Sequence, residues 1–133
     1  MSQENVEIVR RGVEAWNQRD GELWLSYAAP EVEWSPAGPA TVDSRVYRGY
    51  EEVRAGFDAV WETWEEFHCQ ESEVRDLGDS VLWLGRVKMR GGASQVELDQ
   101  EFAFHAVLRD AKVTTVRTFL LWGEALAAVW LSE

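Results

Sequence analysis

Proton transfer at carbon needs a base held away from water, and Glu33, in the short segment Val32-Glu33-Trp34, is the acid of this chain that leans toward an interior. One carboxylate in an apolar slot would suffice, because desolvation raises its basicity. Eight tryptophans, at positions 16, 24, 34, 61, 64, 83, 122 and 130, are spread over nearly every segment around it. Singly, each is a large core filler. Together they suggest a cavity walled by flat rings, which leave gaps that aliphatic side chains would close. Other chemistries are poorly provided for. His68 and Cys69 are adjacent and His105 is far off, with no ligand-spaced companions, so no metal site is expected. Ser35, Ser72, Ser80 and Ser94 have no histidine in a recognisable arrangement, which weighs against nucleophilic serine chemistry. Gly91-Gly92 reads as a hairpin turn rather than a phosphate loop, and no cofactor is expected.

These residues must be positioned by the segments that carry them. Val81 to Arg90, Gln95 to Arg109 and Val113 to Trp122 alternate apolar and polar residues and are separated by turn signals, so they predict half-buried strands paired in sequence. On the middle strand Val96, Leu98, Phe102, Phe104, Ala106 and Leu108 share a face, while Glu97, Asp99, Glu101, His105 and Arg109 share the other. The apolar set should face inward, carrying Gln100 with it as a polar exception. On the last strand Val116, Thr118 and Leu120 face in, and Arg117 and Phe119 face out.

Upstream, Ser2 is a candidate cap for a helix over 3–18, with Val6, Val9, Val13 and Trp16 on one stripe. Gly12 inside that helix costs roughly 1 kcal/mol relative to alanine, so it is there for close approach by a neighbour or by a ligand. Asp20 caps a second helix over 21–29, with Leu23, Trp24 and Tyr27 apolar, and Pro30 stops it. Val32 to Trp34 is a short strand. The loop Ala37 to Arg48 should lie on the surface near a cavity mouth. A third helix over about 50–65 turns Val53, Phe57, Val60, Trp61 and Trp64 inward; 67–77 is a less regular strand; 123–131 is a short closing helix with Leu126, Val129 and Trp130 as contacts. Helix, helix, strand, helix and then four strands make an α+β domain, read as a single unit over 1–133.

With 46% hydrophobic and 28% charged residues, the composition is that of an ordinary soluble domain. A net charge of −11 disfavours nucleic acid and anionic membrane as partners, since both would be repelled. The single Cys69 excludes an internal disulfide and fits a reducing compartment. No apolar run approaches the ~18 residues a membrane span needs. With no signal-peptide pattern at Met1 to Asn5, a cytoplasmic location is expected.

Glu4-Asn-Val-Glu-Ile-Val-Arg-Arg, Ala15-Trp-Asn-Gln-Arg-Asp20, Ala29-Pro-Glu-Val-Glu-Trp34, Tyr47-Arg-Gly49, Gly78-Asp79, Leu108-Arg-Asp110 with Lys112-Val113, and Glu124-Ala-Leu126 follow one another in a characteristic order and spacing. In these stretches the chain resembles the SnoaL-like domains of the nuclear transport factor 2-like superfamily, over essentially its whole length. The resemblance implies a cone-shaped, curved antiparallel sheet wrapped around three N-terminal helices (an α+β barrel), with a short C-terminal helix. It also implies a homodimer, and a cavity in which Leu84, Arg86 and Lys88 point inward. Val81, Trp83, Val87 and Met89 would then form an apolar outer face suited to dimerisation. Isomerases, cyclases, dehydratases, epoxide hydrolases and binders share the fold, so it does not fix an activity.

Under that register the ligand-binding residues are Trp16, Trp34, Phe57, Trp61, Leu84, Arg86, Gln100, Phe102, Phe104, Thr118, Leu120 and Trp130, with Glu33 near the rim as candidate base. Arg86 reads equally as the basic end of an aromatic slot or as an ion-pair partner of Glu33. Lys88 would be an amine nucleophile if buried, although such a lysine more often snorkels to the strand end. The positions matching a ketosteroid isomerase-like site are Ser35, Gly12 and Phe104, none able to abstract a proton or hold an oxyanion. Asp99 and Glu101 face outward, against an epoxide hydrolase-like arrangement, and His105 has the wrong parity for a cyclase-like one. Relatives tend to have Gly at Ala111, an acid near Leu121 and a small pair at Val129-Trp130, so apolar bulk is expected around the cavity's closing helix. The reading that results is a pocket protein for a flat, largely apolar aromatic molecule. Its alternatives are a cofactor-independent lyase or isomerase with a carboxylate base, and a structural dimerisation domain with a filled core.

Overall fold

An apolar stripe sets the first element. In the computed structural model, which describes residues 2–36 and 45–132, helix α1 (Ser2–Asn17) buries Val6, Ile8, Val9, Ala15 and Trp16 and exposes Glu7, Arg10, Arg11 and Glu14. Ser2 is the first residue of α1 rather than a cap preceding it. Asp20 does cap α2 (Gly21–Ser26), its carboxylate accepting from the Leu23 amide at 3.0 Å. This helix ends four residues before Pro30, which lies instead in strand β1 (Ala28–Ser35), within the stretch where the pairing register shifts. A two-residue strand β2 (Tyr47–Arg48), absent from the sequence reading, leads into α3 (Gly49–Thr63). The expected surface loop at Ala37 to Arg48 lies for the most part outside the described residues.

Then come β3 (Trp64–Asp76), β4 (Ser80–Gly91), β5 (Glu97–Arg109), β6 (Lys112–Phe119) and α4 (Trp122–Ser132). The six strands make one curved, open sheet in the order β2-β1-β6-β5-β4-β3, giving a cone-shaped α+β fold that does not close into a barrel. The sheet is mixed rather than antiparallel throughout, because β1 runs parallel to β6.

Helices α1 to α3 fill the concave face, against Val81, Trp83, Val87 and Met89 of β4 and Phe102, Ala106 and Leu108 of β5. The β4 register therefore reverses the expectation. Leu82 and Leu84 lie on the convex face under α4, packed with Ala103, Phe119, Ala125 and Val129. Arg86 and Lys88 follow them to that face and are exposed. The physical reason is local: Val81 to Leu84 is apolar on both faces because both are covered, so alternation there carries no parity. Farther along, charged Arg86 and Lys88 alternate with Val87 and Met89, and putting the charges inside would have cost far more than putting them out.

The proposed outer dimerisation face of Val81, Trp83, Val87 and Met89 is thus part of the core. Gly85 shows how tightly that core is built, since a Cβ there would sit 2.2 Å from the Gln70 carbonyl oxygen and 2.4 Å from the Trp83 ring. Helix α4 covers the convex face and does not border the space under the other helices. Trp122 fixes its start, donating its amide to the Glu101 carboxylate at 3.0 Å and its indole N–H to the Gly85 carbonyl at 2.9 Å.

Candidate functional site

One face of α1 packs on its neighbours while leaving open space beside it. Ile8, Val9, Gly12, Val13 and Trp16 succeed each other at helical spacing along the wall of a cavity of about 120 Å³. Opposite stand Phe102, Phe104 and Ala106 of β5, placed there by alternation, and Val113, Val116 and Thr118 of β6, where a register shift opposite Val107 and Leu108 brings Val113 to the same face as Val116 and Thr118. Trp24, Leu25 and Tyr27 close one side from α2 and the turn after it, and Val32 and Trp34 contribute from β1. For scale, an apolar cavity of roughly 150 Å³ holds a benzene molecule. The space here is of single-ring size.

Aromatic packing makes the wall stiff. Trp16 sits at its hub, with ring centroids 5.5 Å from Trp24, 6.1 Å from Trp34, 5.1 Å from Phe57 and 5.0 Å from Phe67, all edge to face. Behind it Trp61 lies 5.7 Å away, beneath the Arg19 guanidinium at 5.1 Å. Edge-to-face pairs of this kind are each worth about 0.5–1.5 kcal/mol beyond the area they bury. The rings therefore hold the cavity's shape rather than collapse into it.

Polar chemistry is sparse. The Thr118 hydroxyl donates to the Ser35 carbonyl at 2.7 Å and is thereby engaged. Burial pushes the Cys69 thiol up to about 12, so it stays protonated and inert. The Trp16 indole N–H is buried without a hydrogen-bond partner among the described residues. Tyr27 adds a phenol hydroxyl able to donate to a ligand oxygen. Among the described residues that line the cavity, none carries a charge. Such a surface can stack and enclose an uncharged ring. It holds no general base, and it would charge several kcal/mol for burying an unpaired anion.

Of the residues singled out from the sequence, Trp16, Trp34, Phe102, Phe104 and Thr118 line this cavity. Phe57 and Trp61 are buried in the layer behind Trp16. Gln100 pairs with Val87 and shares its inner parity, but lies beyond the cavity wall. Leu120 falls in the bend after β6 and also misses the wall. Five assignments are overturned by position. Leu84 is under α4, Lys88 is exposed on the convex face, and Arg86 is there too, paired with Asp99 at 3.0 Å. Glu33 is paired across from Thr115 on the outward side of β1, 49% exposed, with Arg48 rather than Arg86 at 3.8 Å. Trp130 projects from α4, 78% exposed, far from any role as a cavity lid.

Trp24, Leu25 and Tyr27 were missed as wall residues. The signal for Trp24 and Leu25 was present in the apolar content of the six-residue helix, and Tyr27 follows as its C-cap. Phe67 and Cys69 were missed because β3 alternates only over its first half. Within the described residues, no group of three or more His, Cys, Asp and Glu gathers as a metal site would require.

Residues 9–116 match a family model described as the SnoaL-like domain. Among solved structures, a nuclear transport factor 2-like protein from Burkholderia pseudomallei is 22% identical, with a TM-score of 0.80 over 93% of this chain and 95% of that one. TerC, co-crystallised with polyporic acid, is 20% identical, with a TM-score of 0.78 over 94% and 96% of the two chains. A putative polyketide cyclase from Xanthomonas campestris is 17% identical, with a TM-score of 0.78 over 96% and 97%. No curated protein matches the chain.

Proposed function

The chain belongs to the SnoaL-like domain family, and from that premise we propose that residues 1–133 form a single binding unit for a small, flat, uncharged aromatic molecule. One observation carries this: a cavity of about 120 Å³ whose described lining is apolar and aromatic, without a charged side chain. That TerC was co-crystallised with an organic ligand supports the reading for a protein of this fold. Proton abstraction from carbon, the lyase or isomerase alternative, depended on Glu33, which lies outside the cavity and half exposed. A filled structural core is disfavoured by the cavity itself. Titrating toluene against intrinsic tryptophan fluorescence tests the proposal. Saturable quenching is expected, because Trp16, Trp24 and Trp34 form the wall; a flat response to toluene, phenol and styrene alike would overturn it.

Self-association as a homodimer belongs to the same proposal, on grounds other than the sheet face first expected. Trp130 stands exposed and lines a largely apolar groove with Leu77, Leu82, Leu126 and Val129, to which Arg75 contributes the one charged side chain among the described residues. Among the described residues, no helix is long and apolar enough to cross a membrane. A cytoplasmic setting suits the free Cys69 thiol.

A further inference from the structure

We propose that Gly12 is the specificity-determining position of the cavity, and that the side chain it lacks is the space one edge of the ligand ring occupies. The inference rests on the binding role proposed above and says which residue sets the size of what binds. Gly12 lies in the interior of α1, where glycine is the poorest non-proline choice for a helix. Such a glycine has two ordinary explanations. Either a neighbouring element approaches too closely for a Cβ, or the position is solvent-facing and tolerant.

The structure speaks against both. Among the described residues, a Cβ built on Gly12 would meet nothing within 4 Å, so none of these neighbours requires its absence. The contrast with Gly21 and Gly56 is sharp, because a Cβ there would come within 2.8 Å of the Arg54 side chain and 2.9 Å of the Trp34 ring respectively. Nor does Gly12 sit on the fully exposed side of the helix. It is half-buried and lines the cavity, on the stripe of Ile8 and Trp16 one turn to either side, both buried and both lining it, whereas Arg11 and Glu14 take the exposed side. The open space before Gly12 is therefore the cavity. A residue that weakens its helix, obstructs nothing and fronts an apolar void is accounted for by an occupant of that void.

Chemistry narrows the occupant. Aromatic walls without a charge among the described lining residues select an uncharged ring, and a volume of about 120 Å³ suits one ring rather than two. Enlarging residue 12 should then trade binding for stability, since a side chain of this position would both improve the helix and fill the void.

Fluorobenzene, followed by ¹⁹F NMR, is the probe; 4-fluorobenzoate and 4-fluorobiphenyl are its charged and two-ring counterparts. The wild-type chain should bind fluorobenzene saturably and the other two at least ten-fold more weakly. In Gly12→Leu, fluorobenzene affinity should fall at least ten-fold while the melting temperature holds or rises. Gly12→Ala, which keeps the test open if the leucine variant folds poorly, should melt about 4 °C higher and bind two- to five-fold more weakly. Wild-type binding that survives undiminished in both variants overturns the role of Gly12 and leaves the binding role standing. Preference for the biphenyl overturns the single-ring limit. No binding of any probe by the wild-type chain overturns the inference together with the function on which it rests.

Discussion

At the scale of single residues, charge and site are separated in space. Glu33 is the acid that chemistry would choose, but its partner is the exposed Arg48 at 3.8 Å, a surface pair of the kind that contributes little. Glu33→Gln should therefore leave both fluorobenzene affinity and stability unchanged, the latter within about 0.5 kcal/mol, as read by titration and urea denaturation. A large loss of binding would put Glu33 back in the site. His105 is the titrating residue to watch. Burial first, and the Arg117 guanidinium second, lower its pKa from the ordinary 6.5, and its Nε2 has no hydrogen-bond partner among the described residues. The unfolded chain thus takes up this proton at a higher pH than the folded one, so stability is full above 6.5 and declines as pH falls below it, until the folded group protonates as well. Replacing His105 by Gln should flatten the melting temperature between pH 7 and pH 5.5. Superimposable profiles for the two proteins would contradict that. The outward parity of His105 was readable from β5 alone, because Phe102, Phe104 and Ala106 alternate cleanly with it.

Elements differ in how openly the sequence declares them. β5 is legible because one face is apolar and the other is charged, whereas β4 is not, because Val81-Leu82-Trp83-Leu84 is covered on both sides by α1 to α3 and by α4. Family likeness supplied a parity there and supplied the wrong one. The charges at 86 and 88 were the signal that would have corrected it. The hairpin between β5 and β6 was legible as a turn but not in its cost: Asp110 and Ala111 have φ of 51° and 63°. Two positive angles in a two-residue loop make a type I′ turn, for which alanine is a poor occupant. Ala111→Gly should accordingly stabilise the fold by about 1 kcal/mol in chemical denaturation, and a destabilised variant would refute the strain. Between α1 and β3 the link is Asn17, whose amide nitrogen donates to the Cys69 carbonyl at 2.9 Å while its oxygen accepts from the Cys69 amide at 2.8 Å. No spacing in the sequence announces such a contact across 52 positions. Asn17→Ala leaves both backbone groups unpaired and should cost about 2 kcal/mol; a loss under 0.5 kcal/mol would mean water replaces the side chain.

For the molecule as a whole, the sheet divides two apolar layers that the sequence presents as one. Inside lie the aromatic hub and the cavity; outside, α4 covers Leu82, Leu84 and Phe119 and leaves Trp130 exposed. From the sequence the bulky residues of α4 are expected to close the cavity, because an apolar helix at the end of a chain gives no sign of which sheet face it will cover. Their position on the convex side makes the proposed binding and the proposed self-association separable. Trp130→Glu places a charge in the apolar groove and should shift a dimer to monomer in light scattering at micromolar concentration. Fluorobenzene affinity should stay within about two-fold of wild type, because sites with no shared contacts act independently. The same variant should lose the long-wavelength part of the tryptophan emission, which a solvent-exposed indole contributes, while keeping ligand quenching from Trp16, Trp24 and Trp34. A wild-type chain already monomeric would refute the dimer. Loss of ligand binding in a well-folded Trp130→Glu would refute the separation of the layers, since it would require the convex surface to reach the cavity through the sheet.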